Sequence, residues 1–87
     1  MKADVALFFT SKSCPACLRM YPVIQGLILR GYNIKIVQVE TNQNLLEVYK
    51  IQALPTIVFK TKDGNETNRL IGVVPARLIT RELDKNA

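Results

Sequence analysis

The chain has 87 residues, room for one domain with a modest core and not for a second. Hydrophobic residues make up 48% of it and charged residues 22%, a globular balance that excludes a disordered or collagen-like chain. Lys and Arg number 12 against 7 Asp and Glu, a net charge of +5, yet the basic residues are scattered from Lys2 to Lys85. With no basic stripe and no run interleaved with aromatics, a nucleic-acid partner is not expected.

Residues 1–10 lack the basic region, long apolar region and small-residue cleavage site of a secretory leader, so a cytoplasmic protein is expected. The apolar stretches are too short to span a bilayer, and no membrane partner is expected either. The first of them, Val5-Ala6-Leu7-Phe8-Phe9, has the unbroken apolar character of a strand buried on both faces of a sheet and is read as the central strand. After the polar stretch Thr10 to Ser13, the positions Cys17, Met20, Tyr21, Ile24, Leu27 and Ile28 recur at helical spacing, and Gly31 ends the pattern. Pro15 suits the first turn of this helix, which leaves Cys14 at its entrance. Pro22 lies inside it and removes one backbone bond, so a kink is expected there and not a break.

Ile34 to Val39 is a second strand, rich in β-branched residues. Thr41 and Asn42 are placed to cap a short helix with Leu45, Val48 and Tyr49 on its inner face. Thr56 to Lys60 and Arg69 to Ile71 form a hairpin around the Asp63-Gly64 turn, and Pro75 opens a last helix with Leu78, Ile79 and Leu83 facing inward. The order is strand, helix, strand, followed by helix, strand, strand, helix. No repeat or linker interrupts it.

The chain has two cysteines, Cys14 and Cys17, and no histidine. Zinc sites, iron–sulfur sites and redox sites all use the Cys-x-x-Cys spacing. A tetrahedral zinc site would need two further ligands, so metal binding within one protomer is not expected; a cluster shared between protomers, or an idle pair of thiols, remains as an alternative. The setting favours redox chemistry, because the pair follows a buried strand and opens a helix inside a strand–helix–strand unit. Unpaired amides and a partial positive charge at a helix amino terminus favour the thiolate that attacks disulfides. Cys14 stands there as nucleophile, with Lys12 close by in sequence. Cys17, almost one turn further in and on the inward face, is the less exposed resolving thiol.

Ser13-Cys14-Pro15-Ala16-Cys17 followed by Pro22, with Ala53-Leu54-Pro55-Thr56 far downstream, resembles the thioredoxin and glutaredoxin superfamily essentially from end to end. The resemblance implies a single α/β thioredoxin domain over residues 1–87, of order β-α-β-α-β-β-α, with a four-stranded mixed sheet flanked by helices. It implies a cis Pro55 lying against the cysteines, and a substrate-binding loop of Leu54, Pro55 and Thr56 in which the Leu54 backbone pairs with an extended segment. Gly72 matches a glycine that leaves room for a partner's backbone, and Ser13, Pro15, Ala16 and Val73 complete the contact surface. Two positions depart from thioredoxin: Phe8 stands where a buried aspartate assists proton transfer at the second cysteine, and Ser13 replaces a tryptophan. The Pro15-Ala16 dipeptide replaces Gly-Pro, which bears on the redox potential.

The implied function is reduction of protein disulfides, through a mixed disulfide at Cys14 that Cys17 resolves, with no metal and no cofactor besides the redox-active disulfide itself. Disulfide-containing proteins and a flavin-dependent thioredoxin-type reductase are the expected partners of a monomer. In plan the chain is glutaredoxin-like, yet Gly72-Val73-Val74-Pro75 replaces the glutathione-binding pattern of glutaredoxins. A glutathione-dependent glutaredoxin, a binding module without turnover and a periplasmic oxidase are the competing readings.

Overall fold

A computed structural model describes residues 2–84. The elements in chain order are β1 (Val5–Thr10), α1 (Pro15–Leu29), β2 (Ile34–Gln38), a short 3-10 turn (Val39–Thr41), α2 (Gln43–Val48), β3 (Thr56–Lys60), β4 (Glu66–Ile71) and α3 (Ala76–Glu82). The strands form one mixed sheet in the order β2-β1-β3-β4. β1 runs parallel to β2, with Phe8 opposite Ile36, and antiparallel to β3, with Phe8 opposite Ile57. The α/β four-stranded fold expected from the sequence is therefore present, with β1 inside the sheet.

Alternation along the strands divides the core in two. On one face Ala6, Phe8, Ile34, Ile57 and Phe59 pack with Met20, Ile24 and Leu27 of α1 and Ile79 of α3. On the other, Phe9, Val37 and Val58 meet Leu45, Leu46 and Tyr49 of the α2 region. Neighbours on β1 thus serve different helices, which is why its sequence is apolar without a break. Burying each large apolar side chain contributes about 1.5–3 kcal/mol, and Phe8, Phe9 and Phe59 are all fully buried.

Helix α1 continues through Pro22 to Leu29. It ends where Gly31 takes φ +99° and the Tyr32 amide reaches back to the Leu27 carbonyl at 3.1 Å. Ile28, expected on its inner face, is exposed, as are Leu18 and Leu29. α2 has only 6 residues, and Val48 is exposed while Leu46 takes its place against the core. Asn42 precedes α2, but its side chain bonds the Gln38 carbonyl at 2.8 Å instead of capping the helix. β2 stops at Gln38 because Val39 enters the 3-10 turn. β4 begins at Glu66, earlier than its apolar residues suggest; pairing with β3 carries the polar Thr67 and Asn68 into the strand. In α3, Ile79 is buried and Leu78 only half-buried, and Leu83, just past the end of the helix, is buried. Among the described residues no helix is long and apolar enough to cross a membrane.

Candidate active site

β1 delivers the chain into the loop 11–14 at the same end of the sheet where β3 begins. Cys14 is the N-cap of α1, with extended backbone angles of φ −106° and ψ 110°. Its Sγ accepts the Cys17 amide at 3.2 Å, so the sulfur occupies the place that a serine or aspartate oxygen fills at an ordinary helix start. Pro15, next in sequence, has no amide to compete for it. Both cysteines are free thiols; Cys14 is half-buried and Cys17 fully buried.

Cys17 is the less accessible sulfur, and its environment disfavours charge. Burial pushes its thiol above the ordinary 9.0, and its contact with the Cys14 side chain adds to the rise. The Ser11 amide and the Thr10 hydroxyl act the other way. Phe8 supplies nothing polar: it is fully buried, opposite Ile36 and Ile57, with its ring 6.5 Å from that of Tyr21. At neutral pH, iodoacetamide is expected to label the folded, reduced protein once, at Cys14, and to reach Cys17 only on unfolding. Equal labelling rates in a mass-resolved time course would contradict this arrangement.

The second wall of the site is the loop before β3. The Leu54–Pro55 peptide bond is cis, and the Cys14 thiol points at the Leu54 carbonyl, 3.9 Å away. Pro55 is buried and Leu54 half-buried, packed with the α2-side core. Thr56 is also buried, and its hydroxyl is spent on the Ala53 carbonyl at 2.6 Å; its side chain braces the loop and is withdrawn from the contact surface expected of it. The Gly72 amide donates to the Pro55 carbonyl at 2.9 Å, which joins the end of β4 to the same loop. A Cβ at Gly72 would meet nothing within 4 Å, so its glycine answers to φ +90° and to open space above it. Ser13, Pro15 and Val73 are exposed and Ala16 is half-buried. The structure thus gathers Cys14, Cys17, Leu54, Pro55 and Gly72 into one bonded arrangement, with Ser13, Pro15, Ala16 and Val73 beside them in the chain.

Sequence reasoning missed Ser11 and Glu40. Ser11 is buried and donates its hydroxyl to Glu40 Oε2 at 2.6 Å, and the Lys12 amide donates to the same oxygen at 3.1 Å. The Ser11 bond in particular holds the Glu40 carboxyl below its ordinary 4.5, helped by backbone amides and the Lys12 charge. The Lys12 charge, close to Cys14 in sequence, therefore also acts on Glu40. The missed signal was the parallel pairing of β1 with β2: Thr10 lies opposite Gln38, so the residues following each strand leave the sheet side by side.

Comparison with known proteins agrees with this fold. A family model described as a thioredoxin-like domain matches residues 2–87. Thioredoxin 1 of Synechococcus elongatus is 30% identical over 86 residues, covering 94% of this chain and 78% of its own. Thioredoxin of Chlamydia pneumoniae is 26% identical over 85 residues, covering 95% and 82%. Among solved structures, the thioredoxin of Fasciola hepatica superposes with a TM-score of 0.81 at 28% identity, covering 93% of this chain and 83% of its own.

Proposed function

As this chain belongs to the thioredoxin-like domain family, a family of thiol–disulfide oxidoreductases, we propose that it reduces disulfides in other proteins through Cys14 and Cys17. The observation that carries this reading is the pairing of roles at one helix start: Cys14 Sγ accepts the Cys17 amide within reach of the Leu54 carbonyl, while Cys17 lies buried behind it.

Cys14 attacks as the thiolate. A new sulfur–sulfur bond forms to the substrate, the substrate's own disulfide breaks, and the released thiolate takes up a proton. Cys17 then loses its proton and attacks Cys14 Sγ. The mixed disulfide breaks, the second substrate thiol leaves and is protonated, and the chain is left with a Cys14–Cys17 disulfide. Two electrons and two protons have passed to the substrate. The amide that caps Cys14 offers a donor to its negative sulfur without rearrangement. The Leu54 backbone, at the edge of the cis loop, offers an extended substrate segment a partner for strand addition.

No aspartate stands at Phe8, so the proton of Cys17 must leave by another route. Thr10 and Ser11 are the polar groups that act on that sulfur. A flavin-dependent thioredoxin-type reductase returns the disulfide to the dithiol, and the protein works as a cytoplasmic monomer on disulfide-containing proteins. The test is insulin reduction followed by turbidity. The reduced protein is expected to cleave the insulin disulfides, and Cys14→Ser to bring the rate down to that of the external reductant alone. A wild-type rate no faster than that background would overturn this reading.

A further inference from the structure

The loop that presents Cys14 is tethered to a carboxylate brought from another part of the chain. Ser11 and Glu40 lie 29 residues apart in sequence, and their side chains meet at 2.6 Å. Glu40 Oε2 also receives the Lys12 amide at 3.1 Å. Ser11 passes the connection on: its Oγ accepts the Ser13 amide at 3.2 Å and lies 3.1 Å from Ser13 Oγ, and its carbonyl accepts the Cys14 amide at 3.3 Å. Every residue from Ser11 to Cys14 is thereby held, directly or through Ser11, by one side chain in the 3-10 turn after β2.

A bond from a hydroxyl to a carboxylate is stronger than one between neutral groups, and here the hydroxyl is buried. The same carboxylate places a negative charge beside the loop that leads into the nucleophile. Neither property would be needed to cap a helix that already has Cys14 and Pro15 at its start.

We propose that Glu40 is a positioning residue for the thiol exchange, holding the Ser11–Cys14 loop in the geometry that closes the Cys14–Cys17 disulfide and so making the chain a stronger reductant. The inference rests on the dithiol reading above and deepens it. Its two effects have one sign. The tether keeps Cys14 placed for Cys17, which favours ring closure. The charge opposes a second negative charge on Cys14, which disfavours the reduced form. Both push electrons out towards the substrate. In the exchange with glutathione disulfide, formation of the Cys14–Cys17 bond releases two electrons and two protons, which convert the oxidised peptide into two thiols.

The test is the equilibrium constant of the full chain in defined mixtures of reduced and oxidised glutathione, read by quenching and mass spectrometry. Glu40 is exposed, so Glu40→Gln keeps the fold and an acceptor oxygen while removing the charge. It is expected to shift the equilibrium towards the dithiol by about fivefold, roughly 20 mV for a two-electron couple. Ser11→Ala, which keeps the charge and cuts the tether, is expected to shift it in the same direction. Glu47→Gln, an equally exposed acid on α2, is expected to leave it unchanged. A merely structural Glu40 would alter the melting temperature without moving this constant. A Glu40→Gln constant within twofold of wild type overturns the proposal, whether or not Ser11→Ala folds. A wild-type chain that forms no Cys14–Cys17 disulfide overturns the dithiol reading instead, which keeps the two failures apart.

Discussion

Cys17→Ser is expected to stop the protein after a single attack, with a disulfide-linked adduct accumulating on Cys14 and turnover of protein disulfides falling at least about a hundredfold. The expectation follows from where the two sulfurs stand. Cys14 is half-buried at the loop that would receive substrate, and Cys17 is fully buried behind it. Once the mixed disulfide forms, an external thiol must approach Cys14 past the bound partner, whereas Cys17 is already in place. Serine fills nearly the same volume and can use the hydroxyl and amide of Thr10 and Ser11, so the fold should survive the change. Non-reducing electrophoresis and mass spectrometry of the adduct provide the check. Sustained protein-disulfide turnover by this variant would remove Cys17 from the mechanism. If turnover persisted only with glutathione mixed disulfides, the single-cysteine glutaredoxin route would be the better description.

Phe8→Ala is expected to destabilise the protein by about 3–5 kcal/mol, a large share of the roughly 5–15 kcal/mol that separates folded from unfolded small domains. Phe8 is fully buried, lies on the interior strand, and packs where β1, β2, β3 and α1 converge. Its neighbours across the sheet, Ile36 and Ile57, are fixed by hydrogen-bonded registers on both sides and cannot move in to fill the space. The melting temperature should fall by at least about 12 °C. Leu29→Ala, at a residue 88% exposed, should stay within about 0.5 kcal/mol of wild type. Thermal and urea unfolding of the two variants measure the contrast; a Phe8→Ala loss below about 1 kcal/mol would mean that the core has slack the structure does not have.

Sequence patterns reveal most where one physical requirement dominates. The run Val5 to Phe9 identifies an interior strand because a strand covered on both faces has no polar side to display. Cys14 and Pro15 mark a helix start because the first turn needs an acceptor and has no use for a proline amide. The site becomes less legible where it depends on pairing between distant segments. Glu40 reads as one more surface acid until the β1–β2 register brings it to Ser11. Ile28 and Val48 fit helical spacing as well as their neighbours do, yet α1 and α2 turn them outward, since each helix meets the sheet along a stripe narrower than its apolar arc. The start of β4 is hidden for a related reason: Glu66 to Asn68 hold strand geometry through backbone bonds to β3, which leave no trace in side-chain hydropathy.

Because the sheet partitions the interior into two layers with different buried residues, the reactive corner is built across a seam. Cys14 is anchored through α1, which belongs to one layer, and the carbonyl facing its sulfur comes from Leu54, which belongs to the other. Loosening either layer alone would part the thiol from that carbonyl while the opposite layer still held. The corner that holds the two thiols can therefore be no sturdier than the weaker of the two halves it joins, and its failure need not wait for the whole molecule to melt.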